Sequence, residues 1–164
     1  MCFPPHLKKF FGFIMLKNRT IVQPKKGKML MKIEEIHKIL KEHGLKITPQ
    51  RIAVYEALCL LGHPYAEDIV SHVRKSNPNI SVATIYNTLE HFKAKNLLCK
   101  LETCQDKMRY DAGMKKHYHI CNPDNDMMID YSDAELDNLL KTHFDKKNDI
   151  KVTDIKLLII GSIK

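Results

Sequence analysis

Two histidines and two aspartates between residues 111 and 130 have a spacing that suits metal binding. Asp111, His117, His119 and Asp130 follow the pattern Asp-x5-His-x-His-x10-Asp. Side chains two positions apart project from the same face of a strand, so the imidazoles of His117 and His119 would lie side by side. Imidazole nitrogens combined with carboxylate oxygens suit Fe(II), Mn(II) or Zn(II). The alternative is a half-buried strand whose histidine rings are only hydrogen-bonded.

The charge of the chain is unevenly divided along its 164 residues. The formal net charge is +8, and residues 1–110 contain 19 Lys and Arg against 9 Asp and Glu, whereas residues 111–164 contain 8 against 10. The basic part predicts an anionic partner. Nucleic acid, an anionic membrane surface and a merely solvated lysine-rich face all stay open on charge alone. The length allows one core or two small domains.

The cysteine pattern gives no metal or disulfide motif. Cys2, Cys59, Cys99, Cys104 and Cys121 are odd in number and include no Cys-x-x-Cys pair. Neither a disulfide framework nor a four-thiolate zinc site can be read from such spacing, which favours a reducing, cytoplasmic location. We assign these thiols no role.

Residues 1–31 differ from the sequence that follows them. They contain three prolines, a lysine cluster at 25–28 and an apolar run at 10–16. That run is too short to cross a bilayer, which needs roughly 20 residues, and no cleavage site of a signal peptide follows it. Two interpretations stay open: a disordered, peripheral tail, or the product of an upstream start codon.

Residues 32–111 are predicted to form a winged helix. Apolar residues at helical spacing predict four helices, between Lys32 and Gly44, between Thr48 and Gly62, from Ala66 to Lys75, and from Ser81 towards Asn96. Alternating runs at 97–101 and 108–111 predict a β-hairpin after them. Helices followed by a hairpin are typical of a DNA-binding winged helix, and the alternative is a packing module without a nucleic-acid role.

The fourth helix has one apolar and one polar face. Its predicted buried stripe consists of Val82, Ile85, Leu89 and Phe92. The opposite face presents Thr84, Tyr86 and Asn87, whose hydroxyl and amide groups suit base edges in the major groove. His63 lies elsewhere, on the short connector between the second and third helices.

Residues 117–164 are predicted to form a small αβ domain, joined to the first by a hinge at 112–116. Strands are predicted at 117–122 and 127–131, and a capping box at 132–135 predicts a helix through Leu136, Leu139 and Leu140. The apolar run 152–160 suits either a central strand or a dimer interface, and we favour the interface. The fold class is therefore α+β, with a winged helix followed by a dimerisation domain.

The phrasing of several segments resembles the ferric uptake regulator (Fur) family over about residues 33–162. These segments are 44–51, His63-Pro64, 81–89 and the His-x-His motif at 117–119. The resemblance implies a dimeric, metal-dependent transcriptional regulator that is not an enzyme. It also implies that Lys46 and Arg51 lie near the DNA, and that Tyr86 and Asn87 face its bases.

Within this family the sequence is most similar to the peroxide-responsive repressors. That similarity implies a regulatory Fe(II) or Mn(II), replaceable by Zn(II) in purified protein, on five ligands: His63, Asp111, His117, His119 and Asp130. Asp130 favours this branch because iron-sensing members generally have Glu there, and Lys116 and Tyr118 stand where those members commonly have further ligands.

The resemblance further implies how such a repressor would respond. Peroxide would oxidise a histidine ligand, with His63 and His117 as the expected targets, and so release palindromic operator DNA. The nearer alternative is an iron-responsive repressor of iron uptake. The distant one is a non-haem iron oxygenase, which two histidines and a carboxylate also suit.

One departure from the family concerns its structural zinc. Most relatives hold this zinc with two Cys-x-x-Cys pairs, and the first pair would fall on Asn122 and Asn125. Cys121 is one residue out of register, and no second pair occurs before Lys164. We therefore expect no structural zinc, and a dimer that depends on apolar packing around Leu157–Ile160.

Overall fold

The first half of the chain folds as four helices. The computed structural model describes residues 15–16, 19–22, 31–103, 107–112, 116–147 and 149–162. The helices are α1 (Ile33–Glu42), α2 (Pro49–Leu61), α3 (Ala66–Ser76) and α4 (Val82–Ala94). The hydroxyls of Thr48 and Ser81 accept backbone N–H groups at the starts of α2 and α4, as their positions predict.

The four helices enclose one apolar core. Its fully buried members include Ile36, Leu40, Val54, Ile69, Ile85, Leu89 and Phe92. The ring of Phe92 meets that of Tyr55 edge-on, with centroids 5.9 Å apart, which is a favourable arrangement for aromatic rings. Val82 does not belong to this core, contrary to the predicted stripe, because it occupies the first turn of α4 and is 39% exposed.

A β-hairpin follows the helices. Strands β3 (Cys99–Glu102) and β4 (Met108–Asp111) pair antiparallel, with Cys99 opposite Asp111. The buried ring of Tyr110 joins the helical core. Four helices with this hairpin form the predicted winged helix.

The second half of the chain is built on a different sheet. Strands β5 (Tyr118–Asn122) and β6 (Met127–Asp133) form an antiparallel hairpin. Strand β7 (Leu158–Ile160) adds to β5 in parallel, and helix α5 (Ala134–Asp145) connects β6 to β7. The buried residues of this part are few and come from β5 and β6, including Tyr118, Met128 and Ile129.

The start and the apolar face of α5 differ from the sequence prediction. Asp133, and not Ser132, caps the helix, because its carboxylate accepts the N–H groups of Glu135 and Leu136 at 2.9 and 3.2 Å. Strand β6 continues through Ser132, which keeps that residue extended. None of the α5 residues is buried, and Leu139 is 66% exposed.

Part of the predicted N-terminal tail has regular structure. Strands β1 (Met15–Leu16) and β2 (Arg19–Val22) pair with each other, and β2 pairs antiparallel with β6. The expectation of a peripheral, disordered tail is therefore wrong for these residues. The sequence Arg-Thr-Ile-Val has β-forming residues, and β6 offers it an otherwise unpaired edge. The rest of residues 1–30 lies outside the described part.

The apolar run at 152–160 forms a shorter strand than predicted. Only Leu158–Ile160 is a strand, and it lies at the edge of the sheet order β1-β2-β6-β5-β7. A central position is therefore excluded among the described strands. Leu158 and Ile160 are 36% and 61% exposed. Within the described residues, no helix is long and apolar enough to cross a bilayer.

Candidate metal centre

His63 is presented by a strained connector. Gly62 and His63 both have left-handed backbone angles, with φ of 58° and 46°. Glycine adopts this conformation freely, whereas a residue with a side chain does so at a cost of about 1 kcal/mol. Pro64 follows, and its carbonyl accepts the N–H of Tyr110 at 2.9 Å. The sharp turn directs the buried imidazole of His63 away from α2 and towards the second domain.

The other four candidates come from three strand segments. Asp111 ends β4, His117 directly precedes β5, and His119 lies within β5. The register of the β5–β6 hairpin places His119 directly opposite Asp130. Because alternate residues share a face, His117 joins them on the same side.

All five side chains meet at one place. The Nε2 atom of His63 lies 2.8 Å from Oδ1 of Asp130 and 3.8 Å from Oδ1 of Asp111. The Nε2 atoms of His117 and His119 lie between 3.2 and 3.9 Å from the same two carboxylates. Donors held about 2.1 Å from a common ion lie roughly 3 to 4 Å apart. The spacing therefore fits a single metal ion.

The contacts in this cluster are poor hydrogen bonds. Nε2 of His119 and Oδ1 of Asp130 are buried atoms without a hydrogen-bond partner among the described groups, although charged groups lie close by. Buried polar atoms without a partner are rare in folded proteins. A cation placed among them satisfies all of these lone pairs at once.

Electrostatics also favour a divalent cation. Burial lowers the pKa of His119 from 6.5 to about 4, and the neighbouring rings of His63 and His117 contribute in the same direction. The imidazole of His119 is therefore neutral and able to act as a ligand at physiological pH. Two carboxylates carry two negative charges, which one divalent ion balances. Three nitrogens and two oxygens form the mixed donor set preferred by Fe(II) and Mn(II) over thiolate-rich zinc sites.

A family model decides what kind of protein carries this cluster. The model for the ferric uptake regulator family matches residues 42–160. The chain belongs to this family. Its members are metal-responsive regulators of transcription and not enzymes, so the oxygenase alternative is excluded. The family's regulators are dimeric DNA-binding proteins.

Individual relatives point to the peroxide branch of the Fur family. The chain is 35% identical to the peroxide operon regulator of Bacillus subtilis, across 65% of this chain and 74% of that one. It is 34% identical to the peroxide-responsive repressor PerR of Staphylococcus saprophyticus, across 76% and 84%. These similarities confirm the resemblance that the motifs indicated.

Solved Fur-family structures share the fold. The Campylobacter jejuni peroxide stress regulator matches with a TM-score of 0.64 at 27% identity, covering 79% of this chain and 96% of that one. The Helicobacter pylori ferric uptake regulator, which has three functional metal-binding sites, matches with a TM-score of 0.64 at 26% identity, covering 82% and 94%. The predicted fold class is confirmed: an N-terminal winged-helix DNA-binding domain and a C-terminal αβ dimerisation domain.

The predicted DNA-facing residues occupy two places in this Fur-family fold. Tyr86 and Asn87 are exposed on α4, and Thr84 is half-buried, with its hydroxyl 2.8 Å from that of Ser81. Lys46 is exposed before α2, and Arg51 donates to its carbonyl at 2.8 Å. That contact positions the guanidinium of Arg51 close to Lys46.

The positions where other Fur proteins carry further ligands are used differently in this chain. Lys116 lies 3.0 Å from Asp137, and the hydroxyl of Tyr118 donates to the same carboxylate at 2.5 Å. An ammonium group and a phenol therefore occupy this carboxylate on α5.

The turn between β5 and β6 is closed by asparagine side chains. Oδ1 of Asn122 accepts the N–H of Asp124 at 2.9 Å, and Oδ1 of Asn125 accepts that of Met127 at 3.1 Å. These two residues stand where cysteines of a structural zinc site were expected in relatives, and the absence of such a zinc stays a prediction. Cys59 and Cys99 are free thiols, whereas Cys121 is disulfide-bonded. Its spacing did not indicate that bond.

Sequence analysis missed a polar cluster beside His63. Arg109 donates to the carbonyl of His63 and to Asp126, and Tyr65 also donates to Asp126. Sequence separations of 17 and 61 residues hide these contacts. The only available signal was an arginine two positions before the ligand Asp111.

Proposed function

We propose that the chain is a peroxide-responsive repressor that binds palindromic operator DNA as a dimer when Fe(II) or Mn(II) occupies the five-residue cluster. The observation that carries this proposal is the convergence of His63, from the winged helix, with His119 and Asp130 of the dimerisation domain. An ion held by both domains fixes the angle between them. The relatives named for their peroxide response support the choice of signal.

The metal acts on DNA binding through the shape of the protein. His63 is displaced from the second domain whenever the two domains separate, so the complete donor set exists only in the closed arrangement. A ligand shifts such an equilibrium by its difference in affinity for the two shapes. Converting a mostly open population into a mostly closed one requires on the order of 5 kcal/mol.

Loss of one histidine explains release. A bound Fe(II) supplies the electron that splits peroxide and so produces an oxidant at the site. The imidazoles of His63 and His117 are the nearby groups that take up oxygen. An oxidised ring is a poorer ligand, and the closed arrangement loses the bond that stabilises it.

The contacts of Lys116 and Tyr118 favour this function over an iron-responsive one. Both groups contact Asp137, which places a positive charge where a second regulatory cation would otherwise bind. A site that depends on one ion alone responds to chemical damage at that ion.

Metal dependence is tested with a single carboxylate. Asp130→Ala should lose Mn(II) on elemental analysis and should no longer bind a duplex selected by the Mn(II)-loaded wild type from random-sequence DNA. Asp124→Ala, on the exposed turn, is the matched control and should behave as wild type. Metal-dependent DNA binding that survives in Asp130→Ala would exclude this site as the regulatory one.

Peroxide sensing is tested by mass spectrometry. The Fe(II)-loaded protein, treated with mild peroxide, should gain one oxygen atom on the peptide of His63 or of His117 and release DNA, whereas the Mn(II)-loaded protein should keep both properties. Release of DNA on iron withdrawal, with both histidines intact and no response to peroxide, would identify an iron-responsive repressor instead.

These proposals carry the remaining expectations. We assign residues 32–111 to the DNA-binding domain, 112–116 to the hinge and 117–164 to dimerisation and metal sensing, with the repressor acting in the cytoplasm. The exposed apolar residues of β7 and α5 would form the contact between two copies. That contact places two α4 helices on successive half-sites of a palindrome.

A further inference from the structure

A second contact between the two domains lies beside the metal-binding cluster and uses none of its five side chains. Arg109 of β4 donates from Nη1 to the carbonyl of His63 at 2.7 Å. Its Nη2 donates to the carbonyl and the carboxylate of Asp126 at 2.8 and 2.5 Å. The hydroxyl of Tyr65 donates to the same carboxylate at 2.6 Å. We call Arg109, Asp126 and Tyr65 the Arg109 cluster.

The cluster has the geometry of a strong interaction. The Arg109 guanidinium stacks on the ring of Tyr65, with Cζ 4.2 Å from the ring centroid, and the Arg109 and Asp126 side chains are only 13% and 26% exposed. A planar guanidinium that holds two acceptors and stacks on a ring is replaced poorly by lysine. Partial burial protects such a pair from the screening that weakens surface ion pairs.

The groups it joins belong to different domains. Tyr65 starts α3, and its backbone pairs with that of Arg109 in the wing. Asp126 closes the β5–β6 turn, four residues before Asp130 in the same hairpin. The Arg109 guanidinium therefore ties the connector that carries one candidate ligand to the hairpin that carries two others.

Backbone conformation shows why these two sites need support. His63 and Asp126 both have positive φ, 46° and 54°, although neither is glycine. Such conformations persist when surrounding contacts hold them. The two carbonyl groups that Arg109 holds belong to these two residues.

We infer that Arg109 and Asp126 are positioning residues, which hold His63 against the dimerisation domain before the metal binds. The chain then reaches its metal-binding shape with less loss of conformational freedom, which raises its metal affinity. The cluster also supplies a second closing contact that oxidation of a ligand does not remove. This inference rests on the proposed metal-dependent function.

The test uses full-length variants and Mn(II) alone. Arg109→Lys keeps the charge but loses the fork, and Asp126→Asn keeps the shape but loses the charge. Each should weaken Mn(II) binding, measured by calorimetry, about tenfold, and should enlarge the metal-free protein in small-angle X-ray scattering. The double variant should bind no more weakly than the weaker single variant, because both changes break one contact. Asp124→Asn, in the same turn, is the control and should match wild type.

A milder variant covers the case in which a variant fails to fold. Tyr65→Phe removes only the hydroxyl and keeps the ring beneath Arg109, so it should weaken Mn(II) binding two- to threefold with an unchanged melting temperature. Wild-type Mn(II) affinity and metal-free size in all folded variants would overturn the positioning role. Losses that add fully in the double variant would do so as well. Failure of the wild type itself to bind Mn(II) would instead overturn the proposed metal-dependent function.

Discussion

The winged helix and the dimerisation domain bury their apolar residues in different ways. In the winged helix, residues from all four helices and the hairpin form one continuous core. In the dimerisation domain, the buried residues come from β5 and β6, and α5 buries none. The first domain can therefore fold on its own contacts, whereas the second depends on neighbours, which are the partner copy, the metal ion and the Arg109 cluster.

The largest expected effect is in the self-sufficient core. Phe92→Ala removes a fully buried ring that packs against Tyr55, and should lower the free energy of unfolding by about 3 to 5 kcal/mol. Leu139→Ala, in the exposed face of α5, should change it by less than about 0.5 kcal/mol at concentrations where the chain is monomeric. Chemical denaturation measures both. Similar costs for the two changes would show that α5 is packed within one copy.

A smaller effect is expected at the edge of the second sheet. Ile160→Asp places a charge on the exposed edge strand β7 and should weaken dimerisation at least about a hundredfold, or about 2.7 kcal/mol. Ile33→Asp, on a similarly exposed residue of α1, is the control from the other domain. Sedimentation velocity across a concentration series distinguishes them. An intact Ile160→Asp dimer would place the interface elsewhere.

Lowering the pH should destabilise the second domain selectively. The pKa of His119 lies near 4 in the folded chain, against an ordinary value of 6.5. Between these values the unfolded chain holds a proton that the folded chain does not, so stability falls as the pH drops from about 6.5 towards 4. The loss should be on the order of 2 kcal/mol in metal-free protein.

Hydrogen exchange locates that loss. Amides of β5 should exchange faster at pH 5 than at pH 7, after correction for intrinsic rates, while those of α4 should not. His119→Gln should abolish the difference. Equal acceleration in both domains would mean that they unfold as one unit.

The smallest effects concern matching helix caps. Ser81→Ala and Asp133→Ala each remove a side chain that accepts backbone N–H groups at a helix start, and each should cost about 1 kcal/mol. The first should lower the stability of the winged helix and the affinity for DNA. The second should weaken the dimer, and both outcomes follow from thermal melts and binding curves of the same samples.

The same contrast explains how far the sequence alone could lead. The bounds of α2 and α3 follow from local signals, namely the Thr48-Pro49 start and the apolar spacing, because these helices pack within their own chain. For α5 the same periodicity indicated an apolar face, but spacing does not reveal that Leu139 faces outside this chain. The cap was misplaced by one residue because β6 continues further than its hydrophobic pattern.

The candidate site was predictable in its members but not in its supports. The spacing of His117, His119 and Asp130 encodes a shared face, since strand geometry is local. His63 entered through resemblance, and only the fold brings it to within 2.8 Å of Asp130. The contact between Arg109 and Asp126 depends on the angle between domains, which no local pattern records.

The pairing of His119 with Asp130 gives the intervening turn a fixed length. Adding or deleting a single residue there would rotate Asp130 to the opposite side of the sheet, where it could not reach His63. Surface turns usually tolerate such changes. In this hairpin a one-residue insertion should leave a folded dimer that no longer recognises metal, so the length of four residues from Pro123 to Asp126 is itself a functional property.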